Sequence, residues 1–179
     1  MVIVALIVVV AGGGSGPNSS TDPTAGALPA LRESAPPRAA AQAAPCAALL
    51  QRLPVQLGTL QPRVVHTTPD SPYVVAWGDP AVVLACGADR PKSLVPGSSA
   101  QYFANGPDTG PFYDVTKGSA GNVWTTVDRG PYISITVPDK YQGAAVLPSL
   151  SAAIAKALPT VCTTDQNAPD PTKLCTRRP

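Results

Sequence analysis

Apolar residues along this chain follow three patterns, and each predicts a different kind of element. Cys46, Leu49, Leu50 and Leu53 recur at i, i+3, i+4 and i+7, the stripe of one helical face, and Pro54 stops it. Tyr73-Val74-Val75-Ala76-Trp77 and Ala81-Val82-Val83-Leu84-Ala85-Cys86 are β-rich runs separated by Gly78-Asp79-Pro80, which predicts a hairpin. The continuous apolar character of Val82, Val83 and Leu84 points to a strand covered on both faces. In the run 132–137, Ile133, Ile135 and Val137 share one face while Tyr132, Ser134 and Thr136 share the other. Together with 122–127 and the turn Asp128-Arg129-Gly130-Pro131, it predicts a second hairpin with one wet face. Leu150, Ile154, Ala157 and Leu158 mark the apolar stripe of a longer helix over 148–158, ended by Pro159.

Between the hairpins, 87–121 is broken by Pro91, Pro96, Gly97, Gly106, Pro107, Gly110 and Pro111 and reads as loop, with a short strand at 112–115. The order α, β, β, short β, β, β, α predicts an α+β fold. Its core is a small antiparallel sheet of four to five strands, with a short N-terminal helix and a longer C-terminal helix packed on it.

Outside that unit the patterning disappears. Met1 to Ala11 is one apolar run followed by three glycines. It is shorter than the roughly 20 residues of a membrane-spanning helix and has the length of the apolar region of an export signal. No lysine or arginine precedes Arg32, so the basic start of such a signal is missing. Residues 15–45 are mainly Gly, Pro, Ser, Thr and Ala with few large apolar side chains, a composition that cannot offset its ordering entropy by burial. The sequence thus divides into a signal or membrane-anchor segment (1–14), a disordered spacer (15–45), the α+β domain (46–162) and a flexible tail (163–179) tied by Cys175. Asn18-Ser19-Ser20 fits the glycosylation pattern, and the Ser/Thr/Pro-rich stretch 19–24 equally suits O-linked sugars.

Charge and chemistry narrow the function by exclusion. A net charge of +2 with scattered Lys and Arg offers no phosphate-neutralising surface, so no nucleic acid partner is expected. Four cysteines, Cys46, Cys86, Cys162 and Cys175, read as two disulfides in an exported chain. Cys46–Cys86 with Cys162–Cys175 is slightly favoured over Cys46–Cys162 with Cys86–Cys175, because the pair 162–175 closes a short loop. With no C-x-x-C and a single histidine, neither a metal site nor a cofactor is expected. His66 is that histidine, and a hydrolase would have to use it with Asp70 or Asp79, but no nucleophile elbow or S-x-x-K accompanies it. Trp77 and Trp124 lie in the two hairpins. Facing outward together, and with Asp79 beside them, they would form a platform for a polymer chain; burial in the core is the commoner fate of tryptophan.

These residues resemble a family of exported actinobacterial proteins known as a domain of unknown function, DUF3515. The resemblance rests on Cys46-Ala47-Ala48-Leu49-Leu50 with Leu53-Pro54, then Ala76-Trp77-Gly78-Asp79-Pro80, Val82-Val83-Leu84, Cys86-Gly87 and Arg90-Pro91. Val137-Pro138 and the helix before Cys162 extend it. Ala100 and Phe112 stand where members often carry another cysteine and a tryptophan-bearing stretch, and Cys175 lies beyond the family's usual end. The Ala/Pro/Val-rich composition suits a mycobacterium-like source. The resemblance implies export and envelope association and supplies no activity. The expectation is a tethered or secreted envelope protein, membrane-associated through its N-terminal segment, that binds a partner protein or a wall polymer without catalysis. An envelope hydrolase centred on His66 is the alternative, and a redox-active thiol protein a third reading.

Overall fold

The structure is a computed structural model, and it describes residues 28–94, 101–102 and 110–161. The expected export segment, Asn18, Ala100, Cys162, Cys175 and the tail 163–179 lie outside the described residues. The strands are β1 (Leu31–Ser34), β2 (Pro62–Arg63), β3 (Val65–Thr68), β4 (Val74–Trp77), β5 (Val82–Ala88), β6 (Gln101–Tyr102), β7 (Phe112–Gly118), β8 (Gly121–Thr126) and β9 (Tyr132–Val137). The helices are α1 (Ala43–Leu50) and α2 (Gly143–Ala157).

Seven strands form one antiparallel sheet in the order β2-β4-β5-β9-β8-β7-β6, beside a two-stranded parallel ladder of β1 and β3. The class is the expected α+β, with more strands than the four or five expected. The additional ones are the two-residue edges β2 and β6, too short to show a period-2 pattern, and the separate ladder of β1 and β3. Both expected hairpins form: Val75 faces Leu84 across β4 and β5, and Trp124 faces Ile135 across β8 and β9.

Register assigns the two faces of the sheet. Val82, Leu84 and Cys86 share one face with Ile133, Ile135, Val137 and Trp124, all buried under α1 and α2. Val83, Ala85, Ser134 and Thr136 share the opposite, half-exposed face. The alternation seen in 132–137 is therefore the boundary between core and outer surface. Val83 corrects the two-sided reading of β5, because only its core face is fully covered.

α1 begins three residues earlier than the sequence stripe suggested, with Pro45 in its first turn, where a missing N–H costs nothing. It ends at Leu50, and hydrogen-bonded turns carry the chain through Leu53. α2 begins at Gly143 and takes Pro148 inside it. The apolar stripe continues backward through buried Val146 and Leu147, and their packing compensates the bond that a proline nitrogen cannot donate.

The stretch read as a spacer supplies β1. Its register pairs Leu31 with Val65 and Ser34 with Thr68, and Leu31 N donates to the Val64 carbonyl at 2.8 Å. This strand is ordered by backbone bonds to a partner more than thirty residues on, a long-range cause that composition does not record. The chain then crosses β5: Arg38 N donates to the Gly87 carbonyl at 3.1 Å, and Ala39 is buried against it.

Candidate functional site

The two tryptophans do not form a platform. Trp77 is 3 % exposed and Trp124 8 %, both on the core face. Trp77 Nε1 donates to the Val55 carbonyl at 3.1 Å, and the Trp124 ring meets Tyr113 edge to face at 6.1 Å. Placing an indole under the helices removes a large apolar area from water, which outweighs what an exposed position would gain.

The Trp77-Gly78-Asp79-Pro80 turn is a structural joint. Gly78 has φ +77 and donates its N–H to the Gln61 carbonyl at 2.9 Å. Asp79 is exposed and accepts from Arg63 Nη1 at 3.1 Å, while Lys140 Nζ donates to its carbonyl at 3.0 Å. Arg63 Nε also donates to the Pro29 carbonyl at 2.6 Å. The turn thereby fastens β2, the segment before α2 and the chain before β1 to one point. A cavity of about 330 Å³, lined mostly by apolar side chains, lies beside it between Leu53, Val55 and Val75.

His66 lies exposed on β3, opposite Arg32 of β1. It has no hydrogen bond to a serine or a carboxylate among the described residues. Asp70 is exposed in the loop after β3, and Asp79 is engaged by Arg63. Among the described residues no base, nucleophile and orienting acid assemble around His66, and this geometry lends the hydrolase reading no support.

Cys46 and Cys86 are joined, with Sγ–Sγ 2.03 Å and Cα–Cα 5.7 Å, and both are fully buried. The bond ties α1 to the core face of β5. No free cysteine occurs among the described residues.

A polar cluster that the sequence did not reveal sits at the β8–β9 turn. Asp128 and Arg129 are 7 % and 2 % exposed, unusual burial for charged turn residues. Arg129 Nη1 donates to Asp128 Oδ2 at 2.7 Å and to Thr160 Oγ1 at 2.6 Å, and Phe112 N donates to Asp128 Oδ1 at 2.9 Å. Burial pushes the Asp128 carboxyl above its ordinary value, against the pull of Arg129 and the Phe112 N–H. Nearby, Tyr113 Oη and Ser151 Oγ share a hydrogen bond at 2.9 Å, and burial pushes the phenol up. Each of these groups is engaged from neighbouring elements, so the cluster reads as a latch between β7, the turn and the chain leaving α2.

The feature that presents chemistry to solvent is a groove on the outer face. Its floor is Val83 and Ala85 of β5 with Ser134 and Thr136 of β9, and its wall is Glu33 to Pro37. The cavity volume is about 310 Å³, with polar and apolar surface in similar measure. Tyr132, two residues before Ser134, is half-buried on the same face of β9, and its phenol is pushed up by burial, against the pull of the Arg90 and Arg38 guanidiniums. Asp89, at the same end, is paired with Arg38 at 3.1 Å, both well exposed. Glu33 lines the wall half-buried, and no ion pair or hydrogen bond engages its carboxylate among the described residues. The Ser134 and Thr136 hydroxyls likewise have no partner among the described residues. The sequence marked Ser134 and Thr136 as a wet face, whereas Glu33 was hidden by its position in the presumed spacer.

Among the described residues no group of His, Cys, Asp and Glu could hold a metal ion, and no helix is long and apolar enough to cross a membrane. The family described as "Protein of unknown function (DUF3515)" has a sequence model that matches residues 1–162. No curated protein and no solved structure matches the chain.

Proposed function

The chain belongs to the DUF3515 family of proteins of unknown function, and on that premise we propose that it is an exported envelope protein whose domain binds a ligand on the outer face of its sheet without catalysing a reaction on it. The observation that carries this reading is the buried Cys46–Cys86 bond. Disulfides persist in oxidising compartments and are rare where thiol reductants circulate, and this one connects an N-terminal helix to a central strand. The apolar run 1–11 supports the same location. The groove supports binding, since it holds three polar side chains with no partner among the described residues over an aliphatic floor. The partner is a component of the envelope, and the N-terminal segment brings the domain to the membrane.

A reporter fusion tests the location. The full chain carrying alkaline phosphatase at its C-terminus, an enzyme active only after its own disulfides form, is expressed in a bacterial host with an intact export pathway. Activity is expected with the full chain and is expected to vanish when residues 1–14 are removed. Equal activity with and without that segment, or none in either, would contradict the proposal.

A further inference from the structure

We infer that the outer-face groove is a site for an aliphatic ammonium group carried on an extended peptide, a lysine-like side chain whose charge meets Glu33. The inference deepens the binding-module reading and rests on it. A half-buried carboxylate sheds part of its hydration and is normally compensated by an ion pair or several donors. Glu33 has neither among the described residues, and it faces a cavity. Of the two charged residues that line the groove, Glu33 and Asp89, the second is matched, because it accepts from Arg38 at 3.1 Å. Within the lining the charge left open to a ligand is therefore that of Glu33, and the complementary ligand group is a cation.

The rest of the lining selects among cations. Val83, Ala85, Pro36 and Pro37 give an aliphatic slot suited to a methylene stem, which long cationic side chains bury while the charged head seeks a polar partner. Ser134 and Thr136 offer hydroxyls to flanking amide groups. Among the described residues no aromatic ring lines the cavity, so they supply no stacking surface of the kind on which sugar rings are usually held. At about 310 Å³ the groove lies at the lower end of ligand sites, room for one side chain and its adjoining backbone.

The test uses the full oxidised chain in a nuclear magnetic resonance titration with three probes: acetyl-Ala-Lys-Ala-amide, the same peptide with norleucine for lysine, and free pentylamine. The lysine peptide is expected to shift the amide signals of Ala85, Ser134 and Thr136, with the norleucine peptide weaker by about tenfold or more, the usual scale of a charge-assisted bond. Glu33→Gln is expected to remove that preference and Glu33→Asp to keep part of it, with both variants melting near the parent temperature. Equal binding of the norleucine peptide would overturn the ammonium assignment and leave the binding module standing. Pentylamine binding as tightly as the lysine peptide would overturn the peptide part. Absence of any shift at the groove would overturn the inference altogether, while the location of the protein is decided independently by the phosphatase fusion.

Discussion

Gly87 and Gly58 both have positive φ, +93° and +62°, yet their surroundings differ. A Cβ at Gly58 would meet nothing within 4 Å, whereas one at Gly87 would lie 2.6 Å from both the nitrogen and the Cα of Ala39. Gly87 sits at the irregularity between Cys86 and Ala88 where the chain from β1 crosses β5 on its way to α1. Backbone cannot retreat there without breaking the Arg38 N to Gly87 carbonyl bond. We expect Gly58→Ala to cost about 1 kcal/mol, the left-handed penalty alone. Gly87→Ala should cost about 3 kcal/mol or more, since a backbone clash adds to that penalty. Urea unfolding midpoints of the two variants check this, and equal losses would mean that the crossing at Ala39 is looser than it stands here. Cys86-Gly87 was legible in the sequence as part of a motif, but its reason was not. The close approach comes from a segment nearly fifty positions earlier, which local pattern cannot encode. The burial of Trp77 and Trp124 has the same character: each sits in a legible strand, and the packing of α1 and α2 decides which side is inside.

At the scale of elements, the main hairpins were readable because β4, β5, β8 and β9 carry β-rich runs punctuated by turn residues. β1 and β3 were not, because their stability comes from pairing with each other, and the backbone makes that pairing whatever the side chains are. The β8–β9 turn was placed correctly, but its burial was invisible, since Asp128-Arg129 looks like any solvated turn until Thr160 and Val161 close over it. That burial has a consequence for pH. The folded-state value of Asp128 lies above the ordinary 3.8, so the folded protein holds this proton more tightly than the unfolded chain does. Its contribution to stability is complete below the ordinary value. It declines as pH rises, until the folded carboxyl has itself ionised. Asp128→Asn keeps an oxygen to accept from Phe112 N and carries no titrating proton, so this decline is expected to be missing from its stability curve. Urea midpoints of both proteins measured from about pH 3 to pH 7 give the comparison. Curves that run parallel over the whole range would show that Arg129 holds Asp128 ionised in the folded state.

For the molecule as a whole, one sheet face carries the core and the other carries the groove, and the Cys46–Cys86 bond fixes α1 to the first while β1 walls the second. The division into two faces was readable in the alternation of 132–137. The groove was not, because Glu33 and Pro36-Pro37 reach the outer face only through β1, in a stretch whose composition resembles a tether. Closing a loop with a separation of 40 residues stabilises a chain by about 4 kcal/mol in the entropy account. That is a large share of the 5–15 kcal/mol that holds a typical domain together. A chain left reduced would lose this support, so the compartment in which it folds is part of its stability. The most direct measurement is thiol trapping in the producing cell: free thiols are blocked at lysis, the protein is digested without reductant, and the peptides containing Cys46 and Cys86 are weighed. The account predicts one linked peptide pair holding both cysteines, recovered from material outside the cytoplasm. Recovery of the two as separately blocked thiols from cytosolic protein would contradict it.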